Sequence, residues 1–191
     1  VKFGVEVKRV MKKVLPELDG AFFKLLDVES ADALRAKIKT GLEAAYEREA
    51  VSKAKQEILS RIAEENSFEV PEGFLAMAVE SMLKPYRQEF EQAGEADAEA
   101  KLGEVREKIK PVALKLVKEE FVVDEIARRE SISVEEKEIE EILEALAARR
   151  GISVESARAE AEKSDEPGRW RREIVRNKVL DFLFRNAEVQ G

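Results

Sequence analysis

The chain has 191 residues and contains neither cysteine nor histidine. Without cysteine there is no disulfide, no thiolate nucleophile and no sulfur ligand for zinc. Without histidine the usual general base near neutral pH, the commonest metal ligand and every Ser-His or Cys-His nucleophile arrangement are gone. Glycine (9) and proline (5) are sparse and dispersed, so neither a phosphate-cradling loop nor a dinucleotide fingerprint is present. No apolar run approaches the ~20 residues that span a bilayer, and the first residues lack a signal-peptide pattern, which points to a cytoplasmic protein with no membrane partner. An acidic balance, 41 Asp and Glu against 34 Lys and Arg for a net charge of −7, argues against a direct nucleic-acid partner. Glu135, Glu136, Glu138, Glu140 and Glu141 spread around a helix instead of converging, so they read as a solvated face and not as a divalent-metal site. No cofactor is expected and no enzyme.

What remains is helix-forming sequence with much charge. Ser30 to Asn66 holds no proline and a single glycine and reads as one helix, a rod of about 50 Å. Ser30 is placed to cap it, with Glu29 and Asp32 near the positive end of its dipole. Leu34, Ile38, Leu42 and Ala45 form one apolar stripe, whereas Val51, Ala54, Ile58 and Ile62 form a second, turned about half a revolution at 100° per residue. The pattern predicts a spine that packs one partner near its start and another near its end.

Ahead of the spine, residues 1–10 alternate strictly, with Val1, Phe3, Val5 and Val7 on one side, the period of a half-buried β-strand. Such a strand ahead of a helical chain is explained as the last strand of a domain missing from this piece, or by pairing in a crystal or a dimer. A proline-bearing linker follows over 11–18. Asp19 can cap a short helix through Leu26, whose Phe22, Phe23, Leu25 and Leu26 would anchor it on the spine. Beyond the spine, Pro71 suits a first helical position. Leu75, Val79, Met82, Tyr86 and Phe90 then follow helical spacing, with Pro85 predicted to kink or interrupt the helix. Gln92 to Ala100 reads as an exposed tip. A return helix runs from about Lys101 to Arg129, with Leu102, Val105, Ile109, Val112, Leu116, Val123 and Ile126 near one face and a second kink at Pro111. Ser133 and Glu136 form a capping box, Gly151 a left-handed end, and a short segment runs from Ser153 to Lys163. After a break over 164–168, the last helix carries Trp170, Ile174, Val175, Val179, Phe182 and Leu183, enough apolar mass to pack back on the spine. Its cations Arg169, Arg171, Arg172, Arg176 and Lys178 are better matched to internal glutamates than to a stacked nucleic acid.

Met77, Met82, Tyr86 and Phe90 have two readings. They are the core of a helical hairpin, or an adaptable apolar surface for varied peptide segments, since methionine repacks easily. A single pair of helices cannot bury both apolar faces, which leaves part of such a stripe uncovered.

The order of these pieces resembles the trigger factor family of bacterial ribosome-associated chaperones. The resemblance rests on the strand Phe3-Gly-Val-Glu-Val-Lys8, then Leu15-Pro-Glu-Leu-Asp19, the phenylalanine-bearing short helix, the long helix with Leu34-Arg35, Phe68-Glu-Val-Pro71 and the closing Lys178-Val-Leu-Asp-Phe-Leu183. Gly20 stands where the family usually has an acidic residue. The resemblance implies an all-α, elongated carboxy-terminal chaperone domain over 19–191. Its body would be 19–66 with 167–187, its arms 71–129 and 133–163, and the two protruding hairpins would cradle unfolded or nascent polypeptides without ATP. Residues 1–10 would be the tail of a prolyl isomerase domain that is otherwise absent, so isomerase activity and ribosome contact would belong to the missing parts. Clients would meet Met77, Met82, Tyr86 and Phe90 on one side and Ile142 and Leu146 on the other. The competing expectation is a structural helical domain that forms a homodimer through the same apolar surface.

Overall fold

Capping chemistry sets where the helices start and stop. The computed structural model describes residues 4, 6–12, 18–94, 97–164 and 166–188, and among them the chain is all-α. Seven helices follow one another: α1 (Gly20–Leu25), α2 (Ala31–Glu65), α3 (Glu72–Ala93), α4 (Ala98–Arg129), α5 (Glu136–Arg150), α6 (Val154–Lys163) and α7 (Glu166–Asn186). Two compact units divide the chain at residues 51 and 52, and α2 contributes to both.

In the first unit an Asp19 carboxylate oxygen accepts from the Phe22 amide at 2.9 Å, and Asp27 closes the turn after α1 with φ 53. Ser30 caps α2 by accepting from the Ala33 amide at 3.1 Å. Both caps fall where the residue types put them. The anchoring expected of α1 is only partial: Phe22 and Phe23 are half-buried and meet edge to face at 6.1 Å, but Leu25 and Leu26 are exposed. The tie from this turn to α2 is polar, Lys37 Nζ donating to the Leu26 carbonyl at 3.0 Å. Ile38 and Leu42 of the first predicted stripe are exposed as well. In the expected strand, Val1, Phe3 and Val5 lie outside the described residues; Gly4 and residues 6–12 form no regular element. A strand exists by hydrogen-bonding to a neighbour, and no strand occurs among the described residues. Of the expected linker, residues 13–17 are likewise outside them.

The second unit contains three apolar clusters. In the first, Leu59 and Ala63 of α2 pack with Val122, Val123 and Ala127 of α4 and Val179 of α7. The last helix thus returns to the spine as its apolar content predicts. The face of α2 that is sealed differs slightly from the predicted stripe, because Leu59 is at its centre while Val51, Ala54 and Ile58 are only half-buried. The second cluster closes the α3–α4 hairpin through Val79, Leu83, Leu102, Ile109 and Ala113. Gly94 turns the chain out of α3 with φ 63. Pro85 and Pro111 both lie inside continuous helices, on exposed positions. Leu83 and Ala113, each two residues from one of these prolines, are packed into the hairpin core.

The third cluster joins Ile139, Leu143 and Ala147 of α5 to Ala157 and Ala161 of α6, with Trp170 and Ile174 of α7 against them. α7 therefore presents apolar residues in two directions, covering the α5–α6 hairpin with its first turns and the α2–α4 contact with its later ones. The start of α5 differs from the sequence reading. The capping box is Glu135 with Glu138, two residues beyond Ser133. The Ser133 carbonyl accepts from Lys178 Nζ at 2.8 Å and Val134 packs on the third cluster, which holds the chain extended until Glu135. Gly151 ends α5 with φ 67, and Ser153 caps α6 by accepting from the Ser156 amide at 3.2 Å.

Candidate functional site

The six residues singled out from sequence take different positions in the second unit. Met82 and Phe90 are half-buried on the α3–α4 cluster. Met77 (73% exposed) and Tyr86 (42%) are open to solvent. At 100° per residue Met77 lies about 160° from Val79 and about 120° from Leu83, so it leaves the hairpin core and Phe74 (54% exposed) leaves with it. Ile142 and Leu146 are half-buried and line a cleft of about 410 Å³ with Ala145, Arg149, Arg150, Glu166 and Trp170. The residues thus fall into two separate clusters, one on α3–α4 and one on α5–α7.

A further apolar cleft escaped the sequence reading. Ile62, Asn66, Phe68, Phe121, Val122, Glu125, Ile126 and Arg129 enclose about 400 Å³. Phe121 is its hub, meeting Phe74 edge to face at 5.2 Å and Phe68 at 6.2 Å, while Lys118 Nζ stands 5.8 Å over the Phe68 ring. Phe121 lies off the predicted stripe of α4. The available signal was the pair Phe68 and Phe74 straddling Pro71, which needs an aromatic partner from elsewhere in the chain.

The Phe121 cleft is rimmed by an ion pair, Glu125 with Arg129. Glu125 accepts from Arg128 Nη2 at 2.8 Å and from Arg129 Nε at 2.6 Å. Hydrogen bonds from Arg128, then from Arg129, hold its carboxyl at about 2, well below the usual 4.5. Glu80, bonded by Arg106 and Arg87, and Glu138, bonded by Lys178 and the Glu135 amide, also move downward. These carboxylates stay charged and solvated at neutral pH. Of the basic cluster on α7, Arg171 pairs with Glu136, Arg176 with Glu119 and Glu120, and Lys178 with Glu138, so these three cations are matched internally. Among the described residues no group of His, Cys, Asp or Glu is placed to hold a metal ion, and no helix is long and apolar enough to cross a membrane.

Paired helices that leave apolar clefts open between them define an all-α helical module. Comparison with known proteins places it more narrowly. Residues 30–185 match the family described as the bacterial trigger factor protein (TF) C-terminus, and the chain belongs to that family, a chaperone family. The matched module is the carboxy-terminal one and not the prolyl isomerase domain. Among curated relatives, trigger factor of Koribacter versatilis is 32% identical over 189 residues, covering 96% of this chain and 43% of that protein. Trigger factor of Bacillus subtilis is 29% identical over 195 residues, covering 96% and 45%. The chain thus spans less than half the length of these relatives. A solved structure of trigger factor domains from Thermotoga maritima superposes with a TM-score of 0.54 at 27% identity, covering 72% of this chain and 83% of that one. A second, from work on promiscuous substrate recognition by the trigger factor chaperone, gives 0.56 at 24% identity over 93% of this chain and 44% of that one, and supports the fold alone.

Proposed function

We propose that the chain is an ATP-independent chaperone module that binds unfolded or nascent polypeptides through exposed apolar surface on its second unit. The observation that carries this reading is the number of large apolar side chains left open on α3 and α4: Phe74, Met77, Tyr86, Val112 and Leu116. Family membership supports it. Clients would engage Met77, Tyr86 and the exposed parts of Met82 and Phe90 on the 71–129 hairpin, and the Ile142 and Leu146 cleft on the 133–163 hairpin. Full burial of a large apolar side chain is worth about 1.5–3 kcal/mol before ordering costs. Several half-open patches together then give weak, exchangeable binding, which suits a holdase. The charged rims keep the open surface soluble.

Replacing Phe74, Met77 and Tyr86 with serine should weaken binding of a reduced, unfolded protein by about tenfold or more, because each exposed ring or thioether loses its share of the transfer energy. All three sites lie outside the buried clusters, so the variant should fold. Equal affinity of the folded variant and the parent would remove these residues from the client surface. The competing reading, a homodimer formed through the same apolar surface, would use the same exposed Phe74, Met77 and Tyr86. Sedimentation across concentration with client present separates the two, since a tight dimer that excludes client supports a structural interface.

A further inference from the structure

The first half of α2, which belongs to the first compact unit, carries an apolar face left open among the described residues. Ile38, Leu42 and Tyr46 are exposed, Ala45 is exposed and Leu34 is half-buried. At 100° per residue Leu34, Ile38, Leu42 and Ala45 fall within about 80° of arc, with Gly41 at one border and Tyr46 at the other. The short helix α1 gives this stretch a polar tie through Lys37 and leaves its own Leu25 and Leu26 exposed. A glycine such as Gly41 is unfavourable inside a helix relative to alanine, and a side chain there would meet nothing of this chain within 4 Å. Close approach of a second backbone from outside the chain accounts for it.

The charges say what that backbone is. Ahead of Gly41 the helix carries Arg35, Lys37 and Lys39 against Asp32, and beyond it Glu43, Glu47 and Glu49 against Arg48. One end of the face is therefore basic and the other acidic by the same amount, which makes the face complementary to itself when turned end for end. Arg35, Leu42 and Glu49 are spaced by seven residues and fall in one row within about 40° of arc. An antiparallel copy with its two-fold axis at Leu42 sets Leu42 against Leu42 and Arg35 against the partner's Glu49 twice, whereas a parallel copy sets like charges together. Arg35 is held by Asp32 at 2.8 Å and Glu49 has an interaction within its own chain, but exposed pairs hold weakly and exchange readily. We propose that the face formed by Leu34, Ile38, Leu42, Ala45 and Tyr46 is an interface for a second copy of this chain, joined as an antiparallel α2 pair. It uses none of Phe74, Met77 or Tyr86, so it is independent of client binding and distinct from a dimer through the client surface.

Sedimentation equilibrium of the 191-residue chain over about 1 µM to 1 mM tests it. The expected result is a monomer–dimer equilibrium with a Kd of about 1–100 µM, abolished by Leu42→Lys. Leu42 is exposed in the single chain, so that variant should fold, which circular dichroism checks. Arg35→Glu and Glu49→Arg should each weaken the dimer by about tenfold or more, while an equimolar mixture of the two should pair as the parent does, because each chain then carries the charges that the other lacks. A chain that stays monomeric to about 1 mM would overturn the proposal and leave the face to another polypeptide or to residues of this chain ahead of α1. A dimer that survives Leu42→Lys would overturn it by placing the contact elsewhere. A mixture that pairs no better than either charge variant alone would overturn the antiparallel arrangement on which it rests.

Discussion

Glu125 shows how single residues set the character of this surface. Arg128 and Arg129 both hydrogen-bond its carboxylate, and its pKa is depressed to about 2 from 4.5. A carboxyl whose folded pKa is depressed adds stability above its unfolded value and loses it as the pH falls through the folded one. The contribution of Glu125 is therefore complete above about pH 4.5 and is lost between there and about pH 2. Carboxyl-carbon NMR should find its midpoint near 2, and in the Arg128→Ala, Arg129→Ala double variant near the ordinary 4.5. A parent midpoint already in the mid-fours would mean that the two arginines do not hold it. Because Glu125 also lines the aromatic cleft around Phe121, that rim keeps its carboxylate charged at neutral pH.

At the scale of the element, local signals fixed helix ends well and helix faces less well. Asp19, Ser30, Gly151 and Ser153 act where their chemistry places them, because a cap is decided by the next three residues. Ser133 does not, since its carbonyl is taken by Lys178 from a helix 45 residues away, a partner no local pattern announces. The distinction is measurable. Ser153→Ala should cost about 1 kcal/mol, as loss of a working cap does, while Ser133→Ala should stay within about 0.5 kcal/mol. Urea denaturation of both variants checks this, and a larger loss for Ser133→Ala would restore the cap to the residue the sequence favoured. The same limit explains the α2 faces. Periodicity marks Ile58 and Ile62 as apolar, but Leu59 is wholly buried because α4 and α7 supply Val122, Val123 and Val179 around it. It also explains the divided candidate residues: equal spacing along α3 cannot tell Met82, packed against the α3–α4 cluster, from Tyr86, left open.

Across the whole molecule, helical class and chain order were legible because seven segments carry helical periodicity and clear breaks. The way the second unit is held together was not, because it depends on one helix serving two clusters. Trp170 and Ile174 seat α7 on the α5–α6 cluster, while Val175, Val179, Leu180 and Leu183 seat it on the α2–α4 cluster. The α3–α4 hairpin closes on its own residues, and α7 supplies none of them. Stability should therefore be uneven, with the first and third clusters opening together and the hairpin separately. Val179→Ala removes wholly buried methyl groups and should cost about 1–3 kcal/mol. Hydrogen exchange should then show that loss in the amides of Leu59, Val123, Leu143 and Ala157, while Val79, Leu83 and Leu102 keep their protection. If the hairpin amides lost protection by the same amount, the unit would unfold as one piece and the α3–α4 hairpin would have no independent motion. If they did not, α3 and α4 could shift around a client while α7 holds the remainder closed, which is what a surface that accepts varied segments requires.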